Sequence, residues 1–402
     1  MESVPGIVPV APELQPLGSI SPSRFIGLQM CSLREVLAAN HTPALLPTAP
    51  SARLGSVVHR LLELAGRGYF VGADRVEVEA RWEELLRAAE QEAARSWLDR
   101  HLLPLSAFIP DFEVRRLRAL AAALAIAANS ASRSEARRSA HPQLLGYELD
   151  VVTPDGRATG RIDAVIQGDG GPVLRDYKSG AIHSVDDDGN RVVREEYASQ
   201  LKLYAAMYAE MSGIWPVRLE LVPVGEEPES IDFTIEECTS LLTDALCILD
   251  RINGILTSGI SSTSVMHELA GPAPSTCMYC TYRPLCAPYA DARTLSDASG
   301  WPNDVRGELR EIRLLGNGRL IVALDTPGGT VWIRGLDPDP ARHPILGRLT
   351  PGDSIAAFGL RPSGTLTSYS EGPFSAIYGE HSERSEHDST TSIPPQNPGA
   401  WQ

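Results

Sequence analysis

Three strand-like runs in direct succession constrain the fold of this chain more than any other feature. Residues 146–152, 161–166 and 172–177 each have the apolar alternation of a strand. Turn residues separate them, Pro154-Asp155-Gly156 after the first and a glycine-rich stretch over 168–171 after the second. A helical pattern over 195–211 follows, then strand-like runs over 216–222 and 230–233, then a long helical pattern over 236–256. Strands in a row, then a helix and a further strand, predict an α/β core with a mixed sheet. Upstream the texture is helical, over 21–39, 55–63, 79–100 and 112–129. In the last of these Leu117, Leu120, Ala121 and Leu124 fall at i, i+3, i+4 and i+7, which predicts a helix-packing stripe. The expected organisation is a flexible leader over 1–19, a core domain over 20–300, a small β domain over 301–378 and a disordered Ser-, Glu- and Pro-rich tail over 379–402.

The chain has 402 residues, 43% of them hydrophobic, which is ample for a packed core. Its formal charge of −15 excludes a positive coat for wrapping nucleic acid, though not a local basic channel or a site that meets phosphate through metal ions. Of the 36 basic residues only Lys178 and Lys202 are lysines. In so arginine-rich a chain a lysine marks a place where a compact ammonium is needed. Neither follows a glycine, so no phosphate-binding G-x-x-x-x-G-K-[ST] loop exists, and a processive role would require a separate helicase or other ATPase partner. The first twenty residues carry no secretory pattern. The longest apolar run, over 119–128, is far short of the roughly 20 residues that span a bilayer. A cytoplasmic protein without a membrane partner is expected.

Asp163 lies in the second strand-like run, and Asp176 and Lys178 close the third. Residues i and i+2 of a strand share a face, so Asp176 and Lys178 point the same way, and an antiparallel neighbour can bring Asp163 alongside. Two carboxylates converging beside a lysine suit a hard divalent cation, Mg²⁺ or Mn²⁺, next to a phosphodiester. Ordinary charges at a strand end produce the same short D-x-K pattern. Two further sets flank it. Gly55, His59 and Glu63 lie on one helical stretch with His59 and Glu63 on one face, and Gln200 and Tyr204 share a face of the helix after the third strand.

These residues together resemble the RecB/AddB-type branch of the PD-(D/E)xK nucleases. That family carries G-x-x-x-H-x-x-x-E, G-x-x-D, D-Y-K-[ST]-G and Q-x-x-x-Y in this order. Here they are Gly55/His59/Glu63, Gly160/Asp163, Asp176-Tyr177-Lys178-Ser179-Gly180 and Gln200/Tyr204, in a match over about 20–290. The resemblance implies a restriction-endonuclease-like mixed sheet flanked by helices. It implies metal ligation by His59, Asp163, Asp176 and the Tyr177 carbonyl, with Lys178 as catalytic lysine. Gln200 and Tyr204 would contact DNA or brace the site; Tyr204 also suits plain core packing. Glu63 and Glu148 are outer candidates with structural alternatives, Lys202 faces solvent or a phosphate, and the run Asp186-Asp187-Asp188 reads as a solvated loop. The implied activity is metal-dependent hydrolysis of DNA, as an exonuclease in repair, recombination or defence. A non-catalytic DNA-end-binding subunit and an RNA-processing nuclease are the alternatives.

Clustered cysteines in a long chain point to metal ligation more than to disulfides. Cys277, Cys280 and Cys286 offer three thiolates on one loop, and a closed site needs a fourth. Iron–sulfur nucleases of this family, among them the CRISPR-adaptation RecB-like enzymes, have a similar layout with one cysteine ahead of the core. The resemblance therefore implies a [4Fe–4S] cluster on Cys31, Cys277, Cys280 and Cys286 that staples the domain's ends; Zn²⁺ is the alternative. Cys238 and Cys247 read as small buried apolar residues. The C-terminal segment shows about five short strands with Gly-rich turns and looks like an OB-type barrel. It is neutral, with eight Arg against eight acids over 301–378. Its Arg residues with Trp332 and Tyr369 would suit single-stranded nucleic acid; a capping module is the alternative.

Overall fold

The strand-like runs form the sheet that their alternation predicts. The structure is a computed structural model and describes residues 5–133, 145–186, 188–295 and 300–380. It divides into two units, Val10–Pro302, and Asn303–Gln402 together with Met1–Pro9.

The larger unit begins with α1 (Phe25–Met30), α2 (Ser32–Ala39), α3 (Pro50–Gly66), α4 (Arg75–Arg95), α5 (Leu105–Phe108) and α6 (Phe112–Arg133). Strands β1 (Gly146–Val152), β2 (Thr159–Gly168) and β3 (Gly171–Lys178) follow, then a hairpin of β4 (His183–Val185) and β5 (Arg191–Val193). Next come α7 (Glu195–Ser212), β6 (Arg218–Pro223), β7 (Glu229–Ile231), α8 (Ile235–Leu256), α9 (Ser262–Leu269), α10 (Pro274–Met278) and α11 (Ala287–Leu295). The main sheet has five strands in the order β1-β2-β3-β6-β7. β1, β2 and β3 run antiparallel, β6 joins β3 in parallel, and β7 returns antiparallel. The parallel pair needs a crossover, and α7 supplies it. Placed centrally, β3 is buried along most of its length.

Helices α3, α4 and α6 cover one sheet face, burying Leu54, Trp82 and Leu120 against Ala164, Val173 and Tyr177. The stripe of α6 runs in another phase than its leucines suggest. Leu117 is 47% exposed, whereas Ala119, Leu120, Ala123 and Ile126 are buried. Small residues let α6 lie close to α3, so Ala119, Ala123 and Ala127 share the inward face with Leu120 and Ile126. Helices α4 and α8 each start on a reciprocal capping box, Asp74 with Glu77 and Thr234 with Glu237.

The second unit holds β8 (Val305–Leu314), β9 (Leu320–Thr326), β10 (Gly329–Leu336), β11 (Ser354–Phe358), β12 (Arg361–Ser363), β13 (Thr365–Ser370) and β14 (Ala376–Gly379). It is the expected small barrel-like β module, realised as a curled half-barrel of seven strands in the order β12-β13-β10-β9-β8-β11-β14. The strands beyond the expected five lie largely between 361 and 379, where polar residues and glycines interrupt any alternation.

The segment expected as a flexible leader is tied down. Gly379 N–H donates to the Gly6 carbonyl at 2.8 Å and Val8 N–H to the Gly379 carbonyl at 3.1 Å. Within the larger unit, Leu17 exchanges two hydrogen bonds with the Asn253 side chain. These are pairings over long sequence separations, invisible to local pattern. The expected disordered tail lies outside the described residues from 381 onward. So does Asp187; Asp186 accepts the N–H groups of Asp188 and Asn190 in a solvated turn, as expected for that loop. No helix among the described residues is long and apolar enough to cross a membrane.

Candidate active site

The two carboxylates meet where β2 and β3 part. Ala164 stands opposite Arg175 at the last described pair of that ladder, and the next step puts Asp163 opposite Asp176. With its ladder partner gone, Tyr177 N–H donates instead to Asp163 Oδ2 at 2.7 Å. Asp176 is only 3% exposed. Its Oδ1 accepts a hydrogen bond from Gln200 Nε2 at 3.2 Å. Its Oδ2 has no well-aligned hydrogen bond and lies 2.6 Å from Lys178 Nζ. Lys178 Nζ in turn donates to Gln200 Oε1 at 3.1 Å, so one buried amide from α7 ties both ends of the D-x-K pair. Tyr197, one turn before Gln200, sets its ring 4.7 Å from Lys178 Nζ. That contact is absent from the sequence-based expectations, although the i, i+3 spacing in α7 signals it.

Two carboxylates buried side by side repel each other and are poorly solvated, so both hold protons more tightly. Burial, then the neighbouring Asp176 charge, pushes Asp163 up to about 8; the Tyr177 N–H offsets this only in part. Asp176 is also raised, by burial first, against the pull of Lys178. His59 on α3 is lowered by burial, with Asp176 and Lys178 pulling in opposite directions. A lowered imidazole is neutral and free to be a ligand.

An open cleft of about 570 Å³ passes His59, Glu63, Glu148, Asp163 and Ser179. Glu63 is held by Arg60 and Arg67. Glu148 is raised by burial and by Glu63. Its backbone has φ of +52°, a left-handed conformation within β1 that a side chain other than Gly adopts at a cost. Two motif glycines have steric causes. A Cβ at Gly55 would lie 3.2 Å from Ser179 Oγ, so the glycine lets α3 approach the D-Y-K-S-G turn. A Cβ at Gly160 would lie 2.7 Å from the Tyr204 ring. Tyr204 is 5% exposed, and burial pushes its phenol up to about 12. Tyr204 therefore fills the space behind Gly160. Lys202 points elsewhere and pairs with Glu237 at 3.1 Å.

Cys31, Cys277 and Cys280 lie near enough to Cys286 for their charges to act on it, but the four do not stand in a metal-holding group among the described residues. A Cβ at Gly271 would lie 2.1 Å from the Met30 carbonyl, so the segment entering α10 presses on the α1–α2 junction. There Gly271 N–H points to Cys31 Sγ at 3.5 Å. Burial and the neighbouring cysteines, Cys31 among them, raise Cys277, lift Cys280 to about 11 and push Cys286 up to about 12. Buried Arg283 donates to the carbonyls of Cys277, Met278 and Cys280, and so folds the loop around itself. All six cysteines are free thiols. Cys238 is buried as expected; Cys247 is exposed, because it falls on the outer side of α8.

The donor chemistry at both places fits metal. Carboxylates with a neutral imidazole suit a hard divalent cation, and four thiols suit iron–sulfur or zinc. Among the described residues no three His, Cys, Asp or Glu side chains already stand in a metal-binding group. A family model described as the PD-(D/E)XK nuclease superfamily matches residues 19–287. No curated protein matches the chain. The chain belongs to the PD-(D/E)XK nuclease superfamily, which implies a hydrolase of phosphodiester bonds that binds nucleic acid and works with divalent metal ions.

Proposed function

We propose that this superfamily member is a Mg²⁺- or Mn²⁺-dependent DNA exonuclease of the RecB/AddB-type branch, acting in repair, recombination or defence. The observation that carries the reading is the opposed Asp163–Asp176 pair, joined to Lys178 through Gln200. His59, Asp163, Asp176 and the Tyr177 carbonyl would hold the cation. When bound, such a cation supplies Lewis-acid polarisation of the scissile phosphate and an acidified water. Lys178 holds its ammonium toward the reacting phosphate, where it orients the attacking water and stabilises developing charge. Gln200 fixes the rotamers of Asp176 and Lys178. Tyr204 braces β2, the strand that carries Asp163.

Cys31, Cys277, Cys280 and Cys286 would carry a [4Fe–4S] cluster that ties α1–α2 to the α10 loop. The supporting observation is that Gly271 N–H, in the segment leading into α10, points to Cys31 Sγ at 3.5 Å, and four thiolates are a donor set suited to such a cluster. The test of the function is incubation of purified protein with end-labelled single- and double-stranded DNA, each with Mg²⁺, Mn²⁺ or EDTA. Metal-dependent release of label from ends supports an exonuclease. Binding of ends without cleavage identifies a non-catalytic subunit, and cleavage of RNA alone an RNA-processing enzyme.

A further inference from the structure

Beside the cleft at Asp163 lies a second depression that the catalytic reading does not use. It is an open groove of about 750 Å³ lined by Ser19, Ser21, Ser23, Arg24, Asp150, Thr159 and Arg161. The volume is within the range of ligand sites. In a chain of charge −15 this lining is unusual, with four hydroxyls, two guanidinium groups and one carboxylate. Hydroxyls and arginines are the side chains that hold phosphate oxygens. Among the described residues no aromatic ring lines the groove, so they offer no stacking platform for bases there.

The groove leads into the cleft along the β1–β2 hairpin. Asp150 stands opposite Arg161, and Glu148, two residues earlier on β1, lines the cleft with Asp163. Two residues along a strand is roughly 7 Å. Arg161 spans the step, with Nε 2.8 Å from Asp150 and 3.9 Å from Glu148. The wall opposite is fixed in place, since Ile20 and Arg157–Thr159 exchange backbone hydrogen bonds and Ser19 Oγ lies 2.7 Å from Thr159 Oγ1. Arg24 is exposed and has no ion-pair partner among the described residues.

We infer that this groove seats the phosphate backbone of one nucleic-acid strand as it enters the Asp163 cleft, with Arg24 as its free cation. The inference rests on the nuclease reading and extends it to a strand path. The seat is indifferent to base identity, because phosphate contacts carry no sequence information.

The experiment measures binding of a labelled single-stranded oligonucleotide, made as DNA and as RNA, by fluorescence anisotropy in EDTA over a series of salt concentrations. Arg24→Gln should weaken binding about tenfold, the worth of one charge-assisted contact, and lower the slope of log K against log salt by about 0.7. Ser21→Ala combined with Ser23→Ala should weaken binding without changing that slope, since a hydroxyl releases no counterion. Both effects should appear on DNA and RNA alike. Unchanged affinity and slope in Arg24→Gln, with an unshifted melting temperature, would overturn the path. An effect confined to one sugar would replace phosphate recognition with sugar recognition, and overturn it too. Cleavage of the same DNA by the unmodified protein with Mg²⁺ is scored separately. Cleavage with no Arg24 dependence sinks the strand path alone; Arg24-dependent binding without cleavage sinks the nuclease reading alone.

Discussion

At the scale of single residues, the site works by crowding like charges into a poorly solvated place. Asp163 has its folded-state value raised from 3.8 to about 8. The folded protein thus keeps a proton that the unfolded chain releases near 3.8, and the stability this gives is full below that pH and lost as pH rises through about 8. In EDTA, Asp163→Asn cannot ionise, so its melting temperature should climb relative to the unmodified protein across that window. Parallel pH profiles would show that Asp163 is not held protonated. Glycine carries part of the same design. Gly160→Ala sets a methyl into the Tyr204 ring and should cost about 1–3 kcal/mol, the usual penalty for overpacking. The companion change Tyr204→Phe leaves that clash in place, and so should not restore stability to Gly160→Ala in denaturant titrations.

At the scale of elements, much was legible and the exceptions have physical reasons. Period-2 runs marked β1, β2 and β3, and an antiparallel neighbour is the expected means of bringing Asp163 alongside Asp176. The inward face of α6 was not legible, because an alanine surface looks the same on every side and tertiary packing selects the phase. The left-handed Glu148 carries no local signal, being neither Gly nor Asn. Nor does sequence order show that Gly271 presses on Met30; that contact appears only when distant segments meet. The cysteine loop tests such a long-range tie. Anaerobically purified protein should be brown with about four irons per chain, and Cys31→Ser should lose iron and unfold at lower temperature. Stoichiometric zinc without iron would replace the cluster assignment and leave the nuclease site untouched.

At the scale of the whole molecule the chain forms two units, and the superfamily match over 19–287 falls within the larger one. Residues 5–8 complete the C-terminal sheet through Gly379, so a clean separation must remove both ends of the chain. Residues 10–302 made alone should therefore fold and cut a short, saturating DNA substrate. A large loss of single-strand affinity in that fragment would assign nucleic-acid binding to the seven-stranded module. The central claim is that Asp163, Asp176 and Lys178 form one hydrolytic unit, and single-turnover cleavage of end-labelled DNA tests it most directly. With Mg²⁺ or Mn²⁺ the unmodified protein should cut, and Lys178→Ala and Asp176→Ala should each lower the rate by at least about a thousandfold with folding intact. Residues that act as a unit are not additive, so the double variant should be no slower than either single one. Near-normal cleavage by Lys178→Ala, or cleavage by the unmodified protein undiminished in EDTA, would contradict the account.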